Sequence, residues 1–246
     1  MYIDVHCHLD LLENTEKIIE RAKKLGIGII VANSVNHETN RKILELCEKF
    51  PIVKAALGIY PIDALKMSHK GLNEEINFIK QNKDKISAIG EVGLDFKESD
   101  ETKEQEANFL KFIALSKELD KPLIIHSRKA EDRCIELLEK AMAKKVIMHC
   151  FSGSKKAIKR IIENGWFLSV PANVKYNIQF QELVRETPIE HLFCETDSPF
   201  LHPEKSGENS PENVIISYKK IAELKNLNLK DVEKKIESNY SRLFVK

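Results

Sequence analysis

Eight short apolar runs, rich in β-branched residues, recur along this chain and are separated by charged segments with helical spacing. Several runs are almost continuously apolar, which is typical of strands buried on both faces of a parallel sheet. Strands that alternate with helices predict an α/β fold. The predicted strands are Ile3–Val5, Ile27–Ala32, Ile52–Ile59, Ile86–Ile89, Leu123–His126, Val146–His149, Phe167–Val170 and His191–Cys194.

The segments between these runs carry the spacing and the end signals of amphipathic helices. Ile18 and Ala22 share one helical face, and Gly26 follows, where a left-handed residue commonly ends a helix. Two helices are predicted after the last strand, over Glu212–Leu224 and Leu229–Ser238. Eight strands closed into a ring form a (β/α)8 TIM barrel, here with an extra C-terminal helix. The alternative is an open, doubly wound sheet.

Length and charge limit the possible functions. The chain has 246 residues, and α/β barrels fill about 250 residues as one domain, so we expect residues 1–246 to form a single domain. The 39 Lys and Arg residues nearly balance the 38 Asp and Glu residues, which gives a formal charge of +1. This balance argues against a protein that binds long duplex DNA through bulk positive charge, but it leaves room for a local phosphate pocket.

Composition also predicts the compartment. No apolar run approaches the ~18 residues of a membrane span, and the first residues lack the basic and apolar regions of a signal peptide. The five cysteines are scattered and include no Cys-x-x-Cys pair, so a disulfide framework is not expected. We therefore expect a cytoplasmic protein without membrane contact.

Potential metal ligands follow five of the eight predicted strands. In a barrel the carboxyl ends of the strands meet at one mouth, which is the catalytic face. Residues two apart in a strand point to the same side, so the first two ligands can hold one ion together. The six residues are His6, His8, Glu91, His126, His149 and Asp197.

Four imidazoles and two carboxylates are more than one tetrahedral ion needs. They suit two divalent ions about 3.5–4 Å apart, with one carboxylate as a bridge. Glu91 is the expected bridge, and Asp197 is expected both to ligate and to take a proton from water. These two residues are the catalytic candidates. The donor types are compatible with Mg, Mn or Zn.

Five sequence motifs that contain these residues resemble those of the TatD-type metal-dependent deoxyribonuclease family, a branch of the amidohydrolase-like metal hydrolases. The resemblance implies a TIM barrel, a divalent metal centre with the same six residues as ligands, and hydrolysis of phosphodiester bonds in DNA. The motifs are Asp4–Leu9, Gly90–Asp95, Pro122–Arg128, His149–Ser154 and Glu195–Pro199.

Four residues are the candidates for substrate contacts. Arg128, just after His126, can clamp a phosphate, and Ser152 and Ser154 lie in the turn before a helix, which is a natural phosphate seat. Tyr60 stands where the family commonly has histidine, and its phenol can donate a hydrogen bond to a phosphate oxygen.

The expected activity is that of a metal-dependent deoxyribonuclease. A nearly neutral chain suits the binding of a strand end, so we expect an exonuclease on single-stranded or frayed DNA, with the 3′→5′ polarity that the family suggests. The alternative is a metal-dependent hydrolase of a carboxylic ester, such as a D-aminoacyl-tRNA, or of another small substrate. Tyr60, and Glu208 where the family often has arginine, keep this alternative open. The oligomeric state stays open, and a monomer is compatible with the sequence.

Overall fold

The computed structural model describes residues 1–245, and within this range eight parallel strands form a barrel. Each strand pairs with the next strand along the chain. The ring closes after the last strand, where the Asp197 N–H donates to the His6 carbonyl at 2.9 Å and the His8 N–H donates to the Ser198 carbonyl at 2.8 Å. The strands are β1 (Tyr2–Cys7), β2 (Ile27–Asn33), β3 (Val53–Leu57), β4 (Ile86–Gly93), β5 (Leu123–His126), β6 (Val146–Met148), β7 (Phe167–Val170) and β8 (Leu192–Cys194). The predicted TIM barrel is confirmed.

Ten α-helices surround the barrel in the described part of the chain. Two of them, rather than one, connect β3 to β4, and the first of these is a short helix that Pro61 begins. The final helices cover the closing strands. The helices are α1 (Thr15–Lys24), α2 (His37–Lys49), α3 (Pro61–Leu65), α4 (His69–Gln81), α5 (Thr102–Leu119), α6 (Glu131–Lys140), α7 (Lys155–Glu163), α8 (Ile178–Glu186), α9 (Val214–Lys225) and α10 (Leu229–Phe244). Within residues 1–245, none is long and apolar enough to cross a bilayer.

The long strand β4 places a carboxylate inside the barrel mouth. It continues to Gly93, four residues beyond the predicted end, so Glu91 lies within the strand. Gly93 has a φ of +145°, and a Cβ there would lie 2.0 Å from the carbonyl oxygen of His126. Only glycine permits this close approach of β4 to β5. The approach sets Glu91 beside the end of β5.

The core consists of apolar side chains that the parallel strands and the inner helix faces bury together. In residues 1–245 these side chains form one connected cluster, which includes Ile3, Ile30 and Leu168 at 0% exposure. Trp166 and Tyr218 are among the largest fully buried side chains. This packing holds the strand ends, and therefore the residues that follow them, in a fixed arrangement.

Candidate metal centre

The structure brings all six predicted ligands together at the carboxyl ends of the strands. His6 lies in β1, Glu91 in β4 and His126 at the last position of β5. The other three ligands, His8, His149 and Asp197, follow β1, β6 and β8 within three residues. Residues from distant parts of the sequence therefore converge on one mouth, as the strand-end pattern predicts.

One group of donors surrounds a common point next to β1. Nε2 of His6 and Nε2 of His8 are 3.3 Å apart. Oε2 of Glu91 lies 3.5 Å from the first nitrogen and 3.4 Å from the second. Oδ1 of Asp197 lies 3.4 Å from Nε2 of His6 and 3.5 Å from Nε2 of His8.

These separations fit a metal ion better than hydrogen bonds. Nitrogen and oxygen ligands of zinc lie about 2.0–2.2 Å from the ion, so the edges of a tetrahedral site measure about 3.4 Å. Direct hydrogen bonds between such atoms are usually about 2.7–3.0 Å long. The donor set of His6, His8, Glu91 and Asp197 therefore has the spacing that a divalent ion requires.

A second group lies on the other oxygen of the same carboxylate. Oε1 of Glu91 is 2.7 Å from Nδ1 of His126 and 3.2 Å from Nε2 of His149. Glu91 thus presents one oxygen to each group, which is the geometry of a bridging carboxylate. Both groups offer donors to a divalent ion, but the 2.7 Å pair of the second group has the length of a direct hydrogen bond, and the donor set does not by itself choose the element.

The protonation of the centre reflects its burial and its opposite charges. Burial raises the pKa of Glu91, but the facing histidines, led by His149, hold it well below its usual range. Burial lowers the pKa of His8, yet Asp197 and Glu91 raise it to about 9. His6 differs, since burial and the charge of His149 lower its pKa. Protons would therefore compete with a metal ion for His8, His126 and His149, whose pKa values are raised.

Two further carboxylates contact the histidines of the second group, and their role was not predicted. Oδ2 of Asp95, fully buried just after β4, lies 3.0 Å from Nε2 of His126. Oε2 of Glu195 lies 3.5 Å from Nδ1 of His149. A carboxylate behind a metal-binding histidine orients the ring and strengthens it as a ligand. The sequence feature that could have indicated this role is that both carboxylates, like the six predicted ligands, lie close to strand ends.

A cavity of about 670 Å³ opens over the centre, and three of the four predicted substrate residues line it. These are Tyr60, Arg128 and Ser152. Ser154 instead caps α7, where its Oγ accepts a hydrogen bond from the Ala157 N–H at 3.2 Å.

Arg128 and Tyr60 are both held by Asp95. Nε of Arg128 donates to Oδ2 of Asp95 at 2.9 Å, and Nη2 donates to Glu98 at 2.6 Å. The hydroxyl of Tyr60 donates to the same Asp95 oxygen. Burial and Asp95 raise the pKa of Tyr60, so its phenol stays neutral and acts as a hydrogen-bond donor.

Two adjacent residues of the loop after β8, Glu208 and Asn209, differ in exposure. Glu208 is exposed on this loop, whereas Asn209 is fully buried. Nδ2 of Asn209 donates to the Thr196 carbonyl at 2.8 Å, and its backbone N–H donates to the Pro199 carbonyl at 2.9 Å. Asn209 therefore holds the loop against the segment that carries Asp197.

Comparisons with known proteins agree with this geometry. A family model described as TatD related DNase matches residues 3–245. An uncharacterized metal-dependent hydrolase of Methanocaldococcus jannaschii is 34% identical over 246 residues, which cover 99% of this chain and 96% of that protein. Deoxyribonuclease TATDN3 of Homo sapiens is 33% identical over 259 residues, with 99% of this chain and 94% of that protein covered.

A solved structure shows the same architecture. The crystal structure of YJJV, a TatD homolog from Escherichia coli, matches with a TM-score of 0.92 and 26% sequence identity. The match covers 99% of this chain and 97% of that chain. The matched family model, the relatives above 30% identity and the converged ligand set lead to one assignment. The chain belongs to the TatD-related DNase family and is a metal-dependent hydrolase.

Proposed function

We propose that this protein is a deoxyribonuclease that uses two divalent ions and removes nucleotides from the 3′ ends of single-stranded or frayed DNA. The observation that carries the proposal is the position of Glu91, whose two oxygens face two separate donor groups. Paired ions bridged in this way are typical of enzymes that cleave phosphodiester bonds. The polarity is the one that the family resemblance suggests.

The six strand-end residues would hold the ions of the proposed centre, and Glu91 would serve both donor groups. When bound, the ions supply Lewis acidity, which neutralises the phosphoryl oxygens and acidifies water. Asp197 is the proposed proton acceptor, because its carboxylate stays ionised between His6 and His8, which lower its pKa in spite of burial. Its proton acceptance prepares water for in-line attack on phosphorus.

Three cavity residues are proposed to position the phosphate. Arg128 keeps Nη1 without a hydrogen-bond partner among residues 1–245, so this nitrogen can donate to a phosphoryl oxygen while Asp95 and Glu98 hold the rest of the guanidinium. The neutral hydroxyl of Tyr60 lies 3.4 Å from Nε2 of His126, close to the second donor group, and would turn from Asp95 to donate to a phosphoryl oxygen. Ser152 lines the same cavity, and because its hydroxyl already donates to Glu131 at 2.7 Å, its proposed contact is through its backbone N–H.

A strand end suits the charge of this cavity. Arg128 is the only Arg or Lys among the described residues that line it, and Asp63, Glu91 and Asp197 line it as well. A surface that tracks a duplex contacts many phosphates with many cations. A cavity with one paired arginine and two metal positions is suited to one or two phosphates.

The remaining parts of the proposal concern the setting of the enzyme. We propose that residues 1–246 act as one catalytic domain and that DNA is the only macromolecular partner that the activity requires. All five cysteines are unpaired, which suits a reducing compartment such as the cytoplasm. A monomer is compatible with a site that this one chain builds.

The test is a nuclease assay with controlled metal content. The protein is stripped of metal, supplied with Mg, Mn or Zn, and given single-stranded DNA labelled at either end. We expect metal-dependent release of mononucleotides from the 3′ end. His126→Ala should abolish the release, whereas His69→Ala, which changes an exposed histidine at the start of α4, should leave it unchanged.

A separate variant tests the proposed proton-transfer role of Asp197. Asp197→Asn, assayed at saturating metal, should lower kcat by at least about 100-fold, the usual scale of general-base catalysis. Full turnover would remove Asp197 from this role. Metal-loaded protein that leaves every DNA substrate intact would overturn the nuclease proposal and favour a carboxylic ester such as a D-aminoacyl-tRNA.

A further inference from the structure

Exposed apolar side chains lie on one side of the cavity mouth, next to the first donor group. Phe200 is 53% exposed and Leu11 is 47% exposed, and both line the cavity. Large apolar side chains that stay in water at the rim of a polar site call for an occupant, since their exposure gains nothing for folding. Another part of the lining, after β6 and β7, forms a polar wall that includes Ser152, Asn173 and Gln179.

The ring of Phe200 is held in place against a proposed metal ligand. Its centroid lies 6.0 Å from that of His8, and the two rings meet edge to face at 71°. The Phe200 N–H donates to the Asp197 carbonyl at 2.8 Å, which closes a tight turn between the two residues. Within this turn, the Pro199 carbonyl accepts from the Asn209 N–H and the Ser198 carbonyl accepts from the His8 N–H. These bonds hold the backbone of Phe200 beside the segment that carries Asp197.

Leu11 is the second exposed apolar residue that lines the cavity near His8. It belongs to the 3₁₀ turn Leu9–Leu11, and its N–H donates to the His8 carbonyl at 3.1 Å. Phe200 therefore contacts the ring, and Leu11 the backbone, of the histidine whose Nε2 faces Glu91 and Asp197. We call this pair, Phe200 with Leu11, the apolar shelf.

The charge of the cavity indicates why such a shelf is needed. The described residues that line the cavity include one cation besides histidine, Arg128, and two carboxylates already hold it. Phosphate contacts therefore supply limited affinity here. Stacking of a base on an aromatic ring is the other general source of affinity for single-stranded nucleic acid, and it does not depend on the base sequence.

Two other aromatic residues near the metal centre, Phe151 and Tyr60, cannot form this surface. Phe151 is 0% exposed and belongs to the core. The hydroxyl of Tyr60 is bound to Asp95, and its ring packs edge to face on His126 with centroids 4.9 Å apart. Phe200 is the aromatic side chain of the mouth that keeps a free face.

We propose that the apolar shelf stacks an unpaired nucleobase of the strand whose phosphodiester lies at the metal centre, an inference that rests on the proposed nuclease function. The sugar next to that phosphodiester then faces the polar wall, where the buried Oδ1 of Asn173 has no hydrogen-bond partner among residues 1–245. The shelf requires a base that has left its pair. It therefore selects single-stranded and frayed ends and rejects paired ones.

The test compares strands with and without a base near the 3′ end. One single strand carries 2-aminopurine at each of the two terminal positions, and a matched strand carries abasic tetrahydrofuran units there. Phe200→Ala should raise KM for the base-bearing strand by about 5- to 150-fold, the range expected when one stacked base is lost. It should leave kcat within about twofold and leave KM for the abasic strand unchanged.

Further variants separate stacking from general packing. Phe200→Trp should keep the low KM, and Phe200→Leu, which keeps apolar bulk without a π-face, should resemble Phe200→Ala. Leu25→Ala is the matched control, because Leu25 is also 53% exposed but follows α1 at the opposite end of the barrel. Leu25→Ala should leave KM unchanged for both the base-bearing and the abasic strand.

Stopped-flow fluorescence detects stacking on the apolar shelf independently of DNA cleavage. Stacking should quench 2-aminopurine on mixing with the wild-type protein and not with Phe200→Ala. Quenching without hydrolysis would uphold the shelf and overturn the nuclease proposal. Hydrolysis with equal KM in wild type and Phe200→Ala would overturn the shelf alone, and a protein that neither quenches nor cleaves would overturn both.

Discussion

Oδ2 of Asp95 lies 3.0 Å from Nε2 of His126, while Nδ1 of the same ring lies 2.7 Å from Oε1 of Glu91. The histidine is thus held between two carboxylates, one behind it and one at the proposed metal centre. A proton on Nε2 satisfies Asp95 and leaves the lone pair of Nδ1 for an ion. Asp95 is therefore a positioning residue for the second donor group.

Asp95→Asn should weaken one of the two metal sites. Loss of the charge behind His126 makes the ring a poorer ligand, and such changes typically cost about 10- to 100-fold in metal affinity. The measurement is a titration against a competing chelator. Glu98→Gln is the matched control, since Glu98 bonds to Arg128 and lies farther from the ligands. Equal affinity in Asp95→Asn and wild type would contradict the positioning role.

Glu91→Gln should weaken both metal sites, because it removes the negative charge that the two donor groups share. Asp197→Asn should weaken only the first, since Asp197 faces His6 and His8. Metal content after dialysis, determined by elemental analysis, distinguishes the two cases. We expect fewer than one ion per chain in Glu91→Gln and about one in Asp197→Asn. Two retained ions in Glu91→Gln would rule out the bridge.

The metal-free and metal-loaded proteins should respond to pH in opposite directions. The pKa of His8 is raised from 6.5 to about 9, so the stability it contributes to the metal-free protein is full below pH 6.5 and is lost as the pH rises through 9. The raised pKa values of His126 and His149 act in the same direction, although burial opposes both. The pKa of His6 is lowered, so His6 changes its protonation below pH 6.5 and does not contribute to this trend.

Metal binding reverses the trend, because the ligands must lose their protons before an ion can bind. Thermal melts at pH 6.5, 7.5 and 9 should therefore show a falling Tm in chelator and a rising gain in Tm from added metal. His8→Asn should flatten the slope in chelator, whereas His69→Gln should not. A metal-free Tm that rises across this window would contradict the assignment.

Gly93→Ala should destabilise the protein more than a positive φ alone explains. The added Cβ would lie 2.0 Å from the His126 carbonyl oxygen, so β4 and β5 must separate. We expect the free energy of unfolding to fall by about 1–3 kcal/mol or more, as for other overpacked sites, and metal content to fall with it. Gly165→Ala is the control, since Gly165 has a φ of +72° and open space around its Cβ position. Urea denaturation measures the free energy of unfolding of both variants. An equal decrease in the two would attribute the effect to the positive φ alone.

The amino-acid sequence by itself determined the barrel and the six proposed ligands. Alternating apolar runs and amphipathic segments indicate parallel strands joined by helices, and parallel strands put all their carboxyl ends on one side. His6 and His8 share a side because side chains in a strand repeat every two residues. These relations are local or topological, so they can be read without coordinates.

Tertiary structure decided the contacts that depend on register and on exposure. Asp95 reaches His126 because β4 pairs with β5 with Gly93 opposite His126, and no local pattern specifies that register. Packing also decided that Phe151 is buried while Phe200 stays in water, although both follow strands that carry ligands. Whether a side chain contacts the core or the cavity depends on neighbours that are distant in the chain. For this reason the contacts of Asp95 and the apolar shelf emerge only when the strands are assembled.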